Sequence, residues 1–216
     1  MELTPRLALA ARLARGGAVI ADVGCDHAYL SIYMAQQDPA CRLLASDLRE
    51  GPLRRAEENI TAAGLTDRIS LALADGLRAV PENGADTVVI CGMGGEVMCA
   101  ILEAAPWLKP HGARLVLQPM TRAEVLRPWL QRNGWRIETE SFAREGHRLY
   151  TVMLAVPGEG SVEYGGLFSE AAKADPLFPE YRAALLDRYR AVRAGQIKGN
   201  QPTDETDAIL KILEEC

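Results

Sequence analysis

The sequence predicts an α/β fold, a doubly wound and mostly parallel sheet with helices packed on both faces. Three observations carry this. Short continuous apolar runs, the pattern of strands buried on both faces, alternate with helical patterns between residues 18 and 132. The first run, Ala18-Val-Ile-Ala21, leads through Asp22 and Gly24 straight into a helix, the strand–turn–helix corner at which nucleotide-type ligands are held. The second run ends in Asp47, twenty-three residues beyond Gly24, where such folds hydrogen-bond a ribose diol.

The elements follow in order. Thr4-Pro5 reads as an N-cap with proline at the first helical position, and Leu7, Ala10, Ala11 and Ala14 share a face until Gly16-Gly17 stops the helix. Strand one covers about 18–23, a helix 27–37, strand two 42–46, a helix 51–63 ended by Gly64, and strand three 69–73. Strand four is 86–90 with a helix near 95–104, and strand five is 113–117. The next helix begins at Thr121, with Glu124 in capping-box position, and Pro128 inside it should produce a kink.

The rhythm then changes. Residues 135–140 and 147–155 read as two strands with no helix between them, an antiparallel pair closing one edge of the sheet. Five alternating strands followed by such a pair are the layout of class I S-adenosylmethionine methyltransferases rather than of NAD enzymes: a Rossmann-like, seven-stranded, mostly parallel sheet. Pro157-Gly-Glu-Gly160 marks a boundary, so a Rossmann-like domain is expected over 1–157 and a helical domain over 163–216. In the latter, 180–195 and 206–215 form a helical hairpin joined by Gly199-Asn-Gln-Pro202.

Composition narrows the function. A formal charge of -5 means that any nucleic-acid site must be a local basic patch. Arginine outnumbers lysine 20 to 4, which suits phosphate contacts, but a GC-rich genome gives the same bias and is the favoured reading. Five cysteines without CxxC spacing and only three histidines argue against a metal site and for reduced thiols in the cytoplasm. The charged N-terminal segment excludes a signal peptide, and no segment reaches membrane-spanning length.

The candidate donor site gathers at the carboxyl ends of the strands: Asp22, Gly24 and Cys25 after strand one, Asp47 and Leu48 after strand two, Asp75-Gly76 after strand three, and Cys91-Gly92 after strand four. The loop Cys25-Asp26-His27 is too crowded for a pyrophosphate but admits a methionine tail. Asp26, His27 and Tyr29 stand at the mouth as catalytic candidates, although Asp26 equally serves as a helix cap. Met93, Gly94 and Gly95 leave backbone bare for a flat substrate, and Gln118-Pro119 after strand five line the same edge.

Ala21-Asp-Val-Gly-Cys-Asp-His-Ala-Tyr-Leu30, Asp75-Gly-Leu77, Ile90-Cys-Gly-Met-Gly-Gly95, Leu117-Gln-Pro119 and Asp175-Pro-Leu-Phe178 together resemble the bacterial tRNA (adenine-N1)-methyltransferase family TrmK. The resemblance covers nearly the whole chain. It departs at Cys25, where a serine is expected, and at Met120, where an asparagine often stands. It implies S-adenosylmethionine as donor, tRNA as substrate, and methylation of the adenine at position 22. Gly92–Gly95 would then floor the flipped base, with Tyr29 or His27 stacking on it and Asp26 accepting from its amino group. Arg190 and Arg193 on one face of the hairpin are candidate tRNA contacts, with Arg122 and Arg127 beside strand five as the other face. A methyltransferase for a protein or small-molecule acceptor and an inactive cofactor-binding module both stay open. So does oligomeric state, with which a monomer is compatible.

Overall fold

The computed structural model describes residues 2–160 and 164–216. Seven strands form one sheet in the order β3-β2-β1-β4-β5-β7-β6. They are β1 Val19–Val23, β2 Arg42–Asp47, β3 Ile69–Leu73, β4 Thr87–Gly94, β5 Arg114–Thr121, β6 Trp135–Glu145 and β7 Arg148–Pro157. The first five are parallel, and β7 inserts antiparallel between β5 and β6. The order reverses at β1, whose Ile20 pairs with Leu43 on one side and Thr87 on the other. That reversal opens a crevice beyond the carboxyl ends of β1, β2 and β4.

The apolar runs become strands because both sheet faces are covered. Helices α1 (Pro5–Leu13), α2 (Tyr29–Gln37) and α3 (Glu50–Ala62) bury one face around Leu9, Leu30, Ile32, Leu43 and Ile60. Helices α4 (Gly95–Glu103) and α5 (Ala123–Arg132) bury the other around Ile90, Met98, Leu115, Leu126 and Leu130. The predicted hairpin is α6 (Phe178–Lys198) and α7 (Asp204–Glu215). It shares a third apolar cluster, built on Phe142, Phe168, Phe178 and Leu213, with the edge strand β6. Asp175 ties it there too, accepting from the Phe142 amide at 3.2 Å and the Leu177 amide at 2.9 Å. An exposed-edge N–H of β6 is thereby satisfied.

Several expectations need correction. Strand four does not end at residue 90: β4 runs on to Gly94, pairing irregularly with β5, which itself reaches Thr121. Thr121 is therefore a strand residue, and α5 starts at Ala123 after a left-handed Arg122 (φ 59°) with no side-chain cap. As expected, Pro128 lies inside α5, and Gly166 packs against its ring. The expected second-domain start at 163 lies outside the described residues. No described helix is long and apolar enough to cross a membrane.

One buried polar cluster joins β6, α5 and the C-terminal segment. Arg127 is 1% exposed and donates to Glu140 Oε1 through Nε (2.9 Å) and Nη2 (2.6 Å), and to the Gly166 carbonyl at 3.0 Å. Glu140 also accepts from the Thr151 hydroxyl (2.8 Å) and the Ser169 amide (2.9 Å). Burial pushes the Glu140 carboxyl up, but Arg127 and these donors outweigh it and hold it below the usual carboxylate range. Arg127 cannot then offer a second tRNA face.

Candidate active site

A cleft of about 1160 Å³ opens at the reversal point, lined by the ends of β1, β2 and β4, the segment after β3, and the first turn of α1. Its floor is acidic. Asp22, at the penultimate position of β1, is 2% exposed and accepts from the Ser31 hydroxyl of α2 at 2.5 Å. Burial pushes its carboxyl from 3.8 up to about 6; the Ser31 bond opposes this and the nearby Asp47 adds to it. Asp47, last residue of β2 and 6% exposed, accepts from the Asp26 amide (3.2 Å) and the Arg49 amide (2.9 Å). Those two bonds leave roughly half of its four lone-pair directions for a ligand.

The corner after β1 is built from left-handed backbone. Gly24 (φ 74°), Asp26 (φ 49°) and Ala28 (φ 58°) alternate with ordinary residues. A Cβ on Gly24 would lie 2.3 Å from the Met93 methyl, so glycine permits Met93 to cross the cleft floor. Four amides of this loop are already used: Gly24 and Cys25 donate to the Ser46 carbonyl at 2.8 and 2.9 Å, Asp26 to Asp47, and Ala28 to the Cys25 carbonyl. A phosphate nest needs free amides, and these are occupied. Burial, then the Asp22 and Asp47 carboxylates, push the Cys25 thiol up, so Cys25 is a neutral packing group.

The cleft gathers Asp22, Gly24, Cys25, Asp26, Asp47, Leu48, Asp75, Gly76, Cys91, Gly92 and Met93 from the expected set. Leu48 presents apolar surface, 67% exposed, and Ile101 lies across at Gly76. His27 and Tyr29 sit just outside, their rings edge to face at 5.8 Å. His27 Nε2 is 3.7 Å from Asp26 Oδ2, its Nδ1 is buried without a partner, and Tyr29 is 45% exposed.

The remaining expected residues lie elsewhere in the fold. Gly95 begins α4, and a Cβ there would meet the Arg122 carbonyl oxygen at 2.3 Å, so its bareness serves packing against the start of α5. Gln118 is fully buried, and its Oε1 accepts from the Gly92 amide (3.1 Å) and Arg6 Nη1 (2.9 Å). Pro119 is buried in β5 and Gly94 packs on Thr121. Arg190 and Arg193 are paired across the hairpin with Glu214 (3.1 Å) and Asp207 (2.5 Å). Residues not anticipated from sequence include Arg6 and Leu7 of α1, Arg49, Val97 and Trp107.

Residues 3–153 match the family described as a methyltransferase domain. The chain is 34% identical over 167 residues to the tRNA (adenine(22)-N(1))-methyltransferase of Bacillus subtilis, covering 77% of this chain and 70% of that protein. The chain belongs to this methyltransferase family. Two solved structures of the family extend the likeness to the whole length. A putative tRNA (m1A22) methyltransferase from Streptococcus pneumoniae, in complex with S-adenosyl-L-methionine, superposes with a TM-score of 0.87 at 28% identity, covering 99% of each chain. The B. subtilis M1A22 tRNA methyltransferase TrmK superposes with a TM-score of 0.81 at 30% identity, covering 99% of this chain and 95% of that one. The helical hairpin is thus shared by these tRNA methyltransferases along with the sheet.

Proposed function

We propose that this chain transfers a methyl group from S-adenosylmethionine to N1 of adenine 22 in tRNA, acting in the cytoplasm. The observation that carries the reading is the cleft. It pairs buried carboxylates with apolar walls, and four amides of the loop after β1 are already bonded within the protein, which suits an aminoacid–nucleoside donor better than a dinucleotide. Asp47 would hold the ribose hydroxyls, Leu48, Asp75 and Gly76 the adenine ring, and Asp22, Gly24 and Cys25 the neighbourhood of the methionine portion. The donor supplies a methyl group on a sulfonium centre, already activated for displacement.

Adenine N1 has a free lone pair at neutral pH, so this chain has no need of a strong base and its contribution is positioning. N1 faces the Watson–Crick partner, so the base must leave its stack. The exposed ring of Tyr29 offers a stacking surface at the cleft mouth, and the exposed Asp26 carboxylate an acceptor for the amino group. Asp26 also stabilises the positive charge that develops on the ring. Cys91, Gly92 and Met93 lie between this mouth and the donor side. We place the tRNA backbone along the hairpin, where Arg190 and Arg193 exchange exposed carboxylate partners for phosphates at little cost, since such pairs contribute about 0–1 kcal/mol each. We further take 1–157 and 163–216 as a catalytic and an RNA-docking unit.

Label transfer from methyl-tritiated donor to bulk bacterial tRNA, followed by nucleoside digestion, tests the reading. Label in 1-methyladenosine supports it. Label confined to protein or small molecules, or none at all, overturns it.

A further inference from the structure

The first turn of α1 reaches the cleft, and one of its side chains ties it to the end of β4. Arg6 lines the cleft, and its amide and Nε engage Glu145 at the end of β6 at 3.0 and 3.4 Å. Its Nη1 donates at 2.9 Å to Gln118 Oε1, the same oxygen that accepts the Gly92 amide at 3.1 Å. Gln118 cannot turn over, because its Nε2 is held by the Pro119 carbonyl (3.0 Å) and Met120 Sδ (3.6 Å), and a flip would set its amino group against two donors. Gly92 is left-handed (φ 81°) with open space above it, at the irregularity where β4 slips register between Cys91 and Met93. An irregular strand end with few ladder bonds is free to move unless something outside the ladder holds it.

We propose that Arg6 is a positioning residue for methyl transfer: through Gln118 Oε1 it fixes the Gly92 amide, and with it the turn that carries Met93 across the cleft. This rests on the reading that Cys91–Met93 separate donor from acceptor. A charge-assisted bond polarises its acceptor, so Arg6 acts on Gly92 through Gln118.

The test is a double-mutant cycle read in single-turnover methylation of tRNA, with donor affinity and melting temperature measured on the same proteins. Arg6→Met should slow the methyl-transfer step on the order of tenfold to a hundredfold, as small misplacements do, with donor affinity nearly unchanged. In a Gln118→Met background, Arg6→Met should cost less than about twofold, because coupled residues are non-additive. Arg6→Lys, which restores a donor, should recover part of the rate. Full additivity, or a loss that couples to Glu145→Gln instead, assigns Arg6 to α1–β6 packing and overturns the proposal. Amide exchange at Gly92 reads the same link without any activity: it should be about tenfold faster in Arg6→Met. Equal exchange contradicts the proposal whatever the acceptor is. Wild-type protein that leaves tRNA unmethylated while Gly92 exchange still responds to Arg6 defeats the functional reading alone.

Discussion

Two buried carboxylates, in two regions of the molecule, show how differently one chemical group is used. Glu140, between the sheet edge and the C-terminal segment, is surrounded by Arg127, Thr151 and Ser169, and is held below the ordinary carboxylate range despite its burial. Asp22, at the cleft floor, has Ser31 as its one side-chain donor among the described residues, and burial carries it to about 6. The first is satisfied and holds the chain together. The second is left short of partners in a cleft, the arrangement in which a ligand supplies what the protein withholds. A buried acid is structural or functional by what is left unpaired around it.

The largest effect should come from breaking the satisfied cluster. Arg127→Met leaves Glu140 buried without its counter-charge and should cost about 3–5 kcal/mol in chemical denaturation. Replacing both residues by apolar ones of similar size should recover most of that loss. A small single-mutant effect would mean that water reaches Glu140, and the contrast with Asp22 would disappear.

Asp22→Asn should act in the opposite direction. Unfolded, the carboxyl ionises near 3.8, and folded near 6. Between these values the folded chain holds the extra proton, so stability falls as pH rises through the window and the loss is complete above it. The variant should therefore be more stable than wild type by on the order of 2–3 kcal/mol at pH 8, and no more stable below pH 4. Glu140 has the reverse sign: its contribution is present above its ordinary value and is lost as pH falls through the lower value it takes when folded. Denaturation of wild type and Asp22→Asn across this range separates the two acids. A pH-independent difference would contradict the assignment.

Asp47→Ala removes a cleft carboxylate that is partly satisfied by backbone amides. Calorimetry should show S-adenosylmethionine binding weakened by about 1–3 kcal/mol, the cost of leaving a diol and its surroundings unpaired. Unchanged affinity would move the donor elsewhere in the cleft.

The central strands and their order of succession were legible because both sheet faces are covered, which favours short apolar runs such as Ala18–Ala21. The corner at the cleft was legible for a similar reason: Asp22, Gly24 and Asp47 follow from backbone geometry, which spacing encodes. What spacing does not encode is pairing between distant segments. The extension of β4 to Gly94 depends on β5 running equally far. Gln118 looks like a loop amide until its partners Arg6 and Gly92, 112 and 26 residues away, are seen to enclose it. Likewise the hairpin arginines form a basic stripe in α6 alone, and the acids that face them belong to α7.

The smallest effect concerns that stripe. Replacing Arg190 and Arg193 by Gln gives up two exposed pairs that contribute little to stability. It should weaken tRNA binding and flatten its salt dependence by about one unit for each phosphate no longer neutralised. Donor affinity should not change. An unaltered slope would place the RNA on another face.

The most direct test compares two transcripts of one tRNA, with adenine or guanine at position 22, in methylation by the wild-type protein. One methyl group per adenine-22 transcript, removed by Asp47→Ala at low donor concentration, and none on the guanine-22 transcript is the predicted result. Equal labelling of both transcripts would contradict the account.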